Sequence, residues 1–416
     1  MSARSMLRPS LKPALDPAGV KREFPVFGNH PGLVFLDTAA SSQKPRCVID
    51  GIADFYRRDY ANVHRGAYDL SVRATERFEA ARETARRFLN ARHLSEIVFV
   101  RGATEGINLV AQAWGGAFLK PGDKVVLSEL EHHSNIVPWQ LLRDRIGIEL
   151  CIVPIDGTGA LDLDAFKKYL SSNPKLVSLT HVANVTGQVS PAETLAGLAH
   201  AAGAKVLLDG CQAAPRMPLD VQALDCDFYV FSGHKTYGPT GIGVLYGKRA
   251  LLEAMPPWQG GGDMIETVTF EKSTYQAAPQ RFEAGTPDIA GAVGLGLALQ
   301  FMESVGRDAI QEHEEALTAY AATRLSQTPG VTVMPAGARR LGAVSFVVDG
   351  IHPHDLATIF DQRKVAIRAG HHCAQPLMDR LRVTATARAS FGIYSSEADV
   401  DALVEAIEAA QRLFAV

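Results

Sequence analysis

Short apolar runs recur along the first three hundred residues, each closed by glycine, proline or a polar turn. Glu96 to Val100, Val125 to Leu127, Leu150 to Pro154, Leu176 to Thr180, Val206 to Leu208, Phe228 to Phe231 and Ile242 to Tyr246 have the length and the β-branched and aromatic content of buried strands. Between them the period lengthens. Ala74 to Leu89 is amphipathic at helical spacing, and Gly106 to Trp114, Asp164 to Tyr169 and Ala192 to Ala202 read as further helices. Strands alternating with helices imply a mostly parallel sheet covered by helices on both faces. Past about Phe301 the pattern changes. A long helix, Asp308 to Leu325, leads to short strands near Val331 to Val333 and Ala343 to Val348. Helices near His354 to Gln362 and Glu397 to Leu413 follow, and this part reads as a smaller α+β lobe. No internal repeat and no low-complexity linker interrupts the chain.

Chemistry is concentrated where two of the apolar runs end. Phe228 to Phe231 stops abruptly in Ser232-Gly233-His234-Lys235. A lysine at the mouth of a buried strand loses hydration, which favours the neutral amine and Schiff-base formation with an aldehyde cofactor. Upstream, Val206 to Leu208 ends at Asp209, followed by Cys211 and Gln212. A carboxylate at that point can keep a pyridine nitrogen protonated and make its ring an electron sink. Taken singly, Lys235 is as well explained as a loop lysine, and Asp209 as a turn or capping residue. The two at successive strand ends, where open α/β sheets bind ligands, are a rarer pairing. Gln212 can donate to a ring oxygen, and Ser232 and His234 to a phosphate. Ala103-Thr104-Glu105-Gly106, just before a predicted helix, offers the amide-rich end that suits an anion, although an ordinary helix cap is the same pattern.

The Asp209-x-x-Gln212 and Ser232-x-His234-Lys235 pair resembles the pyridoxal 5'-phosphate (PLP) site of class V aminotransferase-type enzymes, in the fold-type I superfamily. Longer stretches are similar to group II cysteine desulfurases of the SufS type. They are Arg101-Gly-Ala-Thr-Glu-Gly-Ile-Asn108, Glu131-His-His-Ser-Asn-Ile-Val-Pro-Trp-Gln140, Arg281-Phe-Glu-Ala-Gly-Thr-Pro287 and Arg368-Ala-Gly-His-His-Cys-Ala-Gln-Pro-Leu-Met378. The resemblance runs in order from about Phe24 to the end. It implies a large PLP-binding domain over residues 27–302, and a small domain of residues 1–26 with 303–416 that carries a catalytic cysteine loop. It implies Lys235, His132 and Cys373 as catalytic groups, with His132 over the pyridine ring and accepting a proton from the substrate thiol. It places Thr104, Ser232 and His234 on the phosphate, Asp209 and Gln212 on the ring, and Asn184 on the cofactor or the substrate carboxylate. Arg388 is expected to hold that carboxylate, with Arg368 assisting or steering the cysteine loop. Thr286 is expected to reach the phosphate of a partner subunit, which implies a homodimer. The segment Asn62-Val-His64-Arg65-Gly66 resembles one near that interface. Family members more often have threonine at position 103 and alanine at 211, so Ala103 and Cys211 depart from the pattern.

The implied reaction converts L-cysteine to L-alanine, with the sulfur taken as a persulfide on Cys373. Free thiols are mostly protonated near neutrality, and nearby cations change that; Arg368, His371 and His372 are the candidates. The short stretch Arg368 to Met378 is expected to hold Cys373 close to the pocket. Low basal turnover and stimulation by a small acceptor of the SufE or SufU type follow, with iron–sulfur cluster assembly downstream. Rival readings are selenocysteine lyase on the same scaffold, another class V enzyme such as an aminotransferase or epimerase, and a non-catalytic scaffold. The joint presence of Lys235, Asp209, His132 and Cys373 argues against the last.

Composition narrows the partners further. The chain has 416 residues, formal net charge −3, 47 % hydrophobic and 21 % charged residues. That balance suits a soluble protein of two or more lobes and gives no basic excess for a nucleic acid. No apolar run is long enough for a bilayer. The basic start, Met1 to Pro9, lacks the apolar core of a secretory signal; a lightly packed N-terminus is expected, an organelle-targeting segment being the alternative. Five scattered cysteines, Cys47, Cys151, Cys211, Cys226 and Cys373, argue for a reducing cytoplasm and against a disulfide framework. With no C-x-x-C pair, no metal site is expected. Cys151 and Cys226 read as small core residues.

Overall fold

The computed structural model describes residues 15–335 and 339–414. Seven strands form the main sheet: β1 (Ile97–Val100), β2 (Lys124–Ser128), β3 (Glu149–Val153), β4 (Leu176–Thr180), β5 (Lys205–Asp209), β6 (Phe228–Ser232) and β7 (Gly243–Gly247). Their spatial order is β1-β7-β6-β5-β4-β2-β3. All neighbours are parallel except β7, which runs antiparallel to both β1 and β6. Each expected strand is present, with bounds shifted by a residue or two. In β1, β4, β6 and β7 every residue is buried. Such strands read as continuous apolar runs because helices cover both faces.

Register brings the chemistry to one edge. Thr180 pairs with Asp209, and Asp209 with Val230, so Asp209 and Ser232 leave the sheet at adjacent carboxyl ends. The helix expected over Gly106 to Trp114 starts earlier, at Ala103, and passes through a wide π turn at Val110–Gly115.

One face is packed by α1 (Asp69–Leu89). Ala74, Phe78, Ala81, Ala85 and Phe88 recur every three or four residues and are buried, and Asn90, in the left-handed region, ends the helix. Against it lies α2 (Ile289–Val305), apolar nearly all round and largely buried, as a helix inside a large core must be. No single described helix is long and apolar enough to cross a membrane.

The smaller lobe is a four-stranded antiparallel sheet of β8 (Val331–Met334), β9 (Ala343–Val348), β10 (Arg368–Gly370) and β11 (Thr386–Ser390), ordered β8-β9-β11-β10. Helix α3 (Arg307–Gln327) packs on it with Pro353–Asp361 and Glu397–Phe414. Near the N-terminus, Val34–Phe35 pairs in parallel with Val365–Ala366, and Asp37 bridges to Ser390. The chain then crosses to the large lobe, where Tyr394 Oη meets Thr38 Oγ1 at 2.9 Å. The expected character of residues 1–14 lies outside the described residues.

A buried ion pair joins the lobes. Arg216 Nε lies 3.0 Å from Glu314 Oε2, with both side chains at most 1 % exposed. Burial pushes Glu314 up to about 7, against the pull of Arg216. Glu314→Ala would leave a cation buried without its partner, which costs about 3 kcal/mol or more. Urea unfolding should show that loss, and Glu314→Gln should lose less. Equal stability of the alanine variant and wild type would contradict the pair's role.

Two cysteines are expected in the core. Cys226 is fully buried, but Cys151 is only half-buried, a correction to its expected core position. The reason is that β3 is the last strand of the sheet and has a neighbour on one side only.

Candidate active site

A cavity of about 210 Å³ opens where the main sheet meets the smaller lobe. Thr104, His132, Asn184, Asp209, Gln212, Ser232, His234, Lys235, Arg368 and Arg388 line it together. Of the expected site residues, Thr286 and Cys373 do not. Thr286 lines a separate surface pocket with Arg101, Glu105 and Trp258.

The floor is made by strand ends. Asp209, 4 % exposed at the end of β5, has its Oδ1 fixed by the Cys211 amide at 3.0 Å. Lys235 sits half-buried in the short turn Gly233–Lys235 that follows β6. Ser232 Oγ accepts from the Ala103 amide at 2.9 Å and lies 3.6 Å from Cys211 Sγ. Beside Ser232, a Cβ on Gly102 would stand 3.2 Å from that oxygen, a tight approach that glycine permits. The residues after β1 thus close on Ser232, with Thr104 one residue further into the helix. The His234 carbonyl accepts from the Ser42 amide, Ser42 Oγ and Lys44 Nζ, each at 3.0 Å. The Gln212 amide nitrogen donates to the Ala39 carbonyl at 2.8 Å. The crossing segment is therefore tied to the turn after β6 and to Gln212 at once.

His132 follows β2 on a rigid turn. Beneath it, buried Glu131 accepts from Ser128 Oγ, Asn135 Nδ2 and the Thr180 amide, and burial pushes its carboxyl up to about 7. The His132 imidazole is held down to about 3, by burial first and then by Lys235. Its Nδ1 accepts from the Ser134 amide at 3.1 Å, so the neutral ring carries its proton on Nε2. A ring expected to accept a proton therefore starts with a proton to give on Nε2.

The wall from the smaller lobe is cationic. Arg368 and Arg388 are direct cross-strand partners on β10 and β11. Like charges placed so are unfavourable, and an anion between them relieves the repulsion. Arg388 donates to the Asn184 carbonyl at 2.9 Å and to Asp37 Oδ1 at 3.1 Å, while its Nε has no protein partner. Burial lowers Arg388 to about 10, which leaves it a cation at neutral pH. Asn184 spends its amide nitrogen on the His372 carbonyl at 2.7 Å.

Cys373 lies in the four-residue turn between β10 and α4 (Gln375–Leu381). Arg368 Nη2 reaches its Sγ at 3.7 Å. His372 and Cys373 both have positive φ, 52° and 57°, so the turn is strained and must be held from outside. The expectation that His372 supplies a positive charge fails. Burial, with Arg388 and Arg368, holds its ring down to about 3. Its Nε2 donates to the Thr386 carbonyl at 3.1 Å, while the buried Nδ1 has no partner and the residue lines the cavity. His371 is exposed. His372, expected only as a charge near Cys373, and Ser134, which no motif reading singled out, also line the cavity. Cys211, also on the cavity, is pushed up to about 12 by burial and by Asp209, so it stays a neutral thiol.

These groups fit a phosphorylated pyridine aldehyde. There is an amine, a fixed carboxylate, a hydroxyl beside glycine, and an orphaned buried nitrogen on Arg388 for a second anion.

The aminotransferase class-V family model matches residues 34–403. A probable cysteine desulfurase of Halalkalibacterium halodurans is 49 % identical over 398 residues, 95 % of this chain and 98 % of the relative. The cysteine desulfurase of Synechococcus elongatus is 48 % identical over 395 residues, and the chain spans 63 % of its length. Among solved structures, the Escherichia coli cysteine desulfurase CsdA in its S-sulfonic acid form aligns with a TM-score of 0.89 and 40 % identity, over 96 % of this chain and all of the other. With the family model over most of its length and such relatives beside it, the chain belongs to the class-V aminotransferase family, among its cysteine desulfurases.

Proposed function

We propose that this protein is a PLP-dependent cysteine desulfurase of the SufS type, which converts L-cysteine to L-alanine and stores the sulfur as a persulfide on Cys373. One observation carries the reading. Cys373 Sγ stands 3.7 Å from Arg368 Nη2, and Arg368 lines the cavity that also holds Lys235, Asp209 and Arg388. Ser232, Thr104 and His234 would hold the cofactor's phosphate, Asp209 and Gln212 its ring, and Lys235 its aldehyde carbon. PLP supplies an electron sink that labilises the substrate's Cα–H and Cβ–S bonds.

The chain's own residues do the rest. Arg388 and Arg368 fix the substrate carboxylate with forked donors. Asn184 holds the cysteine turn through the His372 carbonyl. The Lys235 amine would move the Cα proton. His132, on the same cavity, would hold a proton on Nε2. The Cys373 thiolate attacks the substrate sulfur. The new S–S bond forms as Cβ–S breaks, the electron pair stays with the carbon fragment, and protonation there yields alanine. Cysteine and enzyme thiol become alanine and enzyme persulfide, with no further oxidant.

The short Cys373 turn supports transfer to an acceptor of the SufE or SufU type that comes to the site, for iron–sulfur cluster assembly. Thr286, outside its own cavity, and the fully exposed Phe270 at the tip of hairpin 265–275 support a homodimer. We place the protein in the cytoplasm and divide it into residues 27–302, and 1–26 with 303–416. Selenocysteine lyase, aminotransferase and epimerase readings are not favoured beside relatives that are cysteine desulfurases.

The test is peptide mass spectrometry after brief exposure to L-cysteine, with alanine quantified. One extra sulfur on the Cys373 peptide and matching alanine is expected. Alanine without sulfur on that peptide would point to another route, and neither product in cofactor-loaded protein would end the proposal.

A further inference from the structure

His133, the neighbour of His132, points its chemistry away from the cavity and into the cysteine turn. Its backbone amide donates to the Cys373 carbonyl at 2.7 Å, and its Nε2 accepts from the Gln375 amide at 3.0 Å. Gln375 is the first residue of α4, so the imidazole satisfies an amide that the helix itself leaves unpaired. A ring nitrogen accepting from an amide is unprotonated, and burial and the neighbouring His371 lower this ring's basicity. The far part of α4 is fastened to the same stretch of chain. Arg380 Nε meets Glu129 Oε2 at 3.0 Å, and Arg380 Nη2 the Ile155 carbonyl at 2.7 Å. Between these fastenings Leu377 and Met378 are buried against Leu130, Ile155 and Val185. Residues 129–133 therefore hold α4 at both ends, and the same turn presents His132 to the cavity.

The turn they hold is strained. Two successive residues other than glycine, His372 and Cys373, occupy the left-handed region. Loosening one fastening lets that backbone relax, and Sγ then leaves the position where Arg368 meets it.

We infer that His133 is a positioning residue for sulfur capture: its neutral ring, by accepting from the Gln375 amide, fixes Cys373 in register with His132. The inference rests on Cys373 being the sulfur acceptor.

Three variants of the full-length, cofactor-loaded enzyme test it: His133→Ala, His133→Phe, which keeps a ring but has no acceptor, and His133→Gln, whose Oε1 reaches about as far as Nε2. Two readouts are independent. One is kcat for alanine release set against KM for L-cysteine. The other is the rate of iodoacetamide labelling of Cys373 relative to exposed Cys47, by peptide mass spectrometry. Loss of one such hydrogen bond should lower kcat about five-fold or more in the alanine and phenylalanine variants, with KM within about two-fold. Their Cys373 labelling, relative to Cys47, should shift by about three-fold or more as the sulfur's surroundings change. The glutamine variant should stay within about two-fold of wild type in both readouts. Wild-type behaviour of the alanine and phenylalanine variants, or equal impairment of all three, would overturn the inference. If the wild type forms no persulfide, the desulfurase reading fails, and the labelling arm still decides whether His133 positions Cys373.

Discussion

Cys373→Ser is expected to release alanine from L-cysteine at no more than about 1 % of the wild-type rate, because a serine hydroxyl is a far weaker nucleophile toward sulfur than a thiolate. The side chain is nearly isosteric, so the strained turn, the Arg368 contact and the cavity are kept. The cofactor groups Lys235, Asp209, Ser232 and His234 lie on the other lobe and are untouched. Cofactor absorbance and KM for L-cysteine should therefore stay near wild type while kcat collapses, the pattern of an interaction made only in the transition state. Alanine quantification together with peptide mass spectrometry checks this. Alanine release at the wild-type rate from the serine variant would show that sulfur leaves without Cys373, and the proposed route would be wrong.

The sequence carried the strands of the main sheet because burial on both faces demands continuous apolar runs, and those runs survive reading one residue at a time. Helix α2 escaped notice for a related reason. Ile289–Val305 is apolar nearly all round, so it shows no amphipathic period. Strands β10 and β11 were missed because their residues are small or cationic, Arg-Ala-Gly and Thr-Ala-Arg-Ala-Ser. Two facing arginines make a poor strand signal and a good anion site. The cavity residues were legible as motifs, but what each one does with its atoms was not. The amides of Gln212 and Asn184 are engaged by Ala39 and His372, partners more than 170 positions away. The neutral state of His372 depends on burial beneath Arg388, and the half-exposure of Cys151 on the order of strands. Neither long-range fact leaves a local trace.

Lys235→Ala should lower turnover by about three orders of magnitude or more, since in the proposed reaction it removes both the covalent anchor of the cofactor and the base for the Cα proton. Folding should survive. Lys235 is half-buried in a short turn, and the sheet beneath it is held by β5, β6 and β7. On the proposed roles the remaining cofactor contacts would be hydrogen bonds and ion pairs from Ser232, His234, Thr104, Asp209 and Gln212, which would let the cofactor exchange. Dialysis against cofactor-free buffer should strip the variant and spare the wild type. Borohydride should fix the cofactor's mass to the Lys235 peptide of the wild type alone. A second consequence reaches His132. Lys235 follows burial as the cause that lowers this histidine to about 3, so deleting its charge should raise the His132 value while burial keeps it below the ordinary 6.5. NMR titration of imidazole signals in apo protein, compared with and without the substitution, reads that shift. A variant that keeps its cofactor through dialysis and turns over at the wild-type rate would remove Lys235 from the chemistry. One that loses turnover while His132 stays where it was would keep Lys235 as anchor and base, but would end its role in setting the charge of the His132 ring.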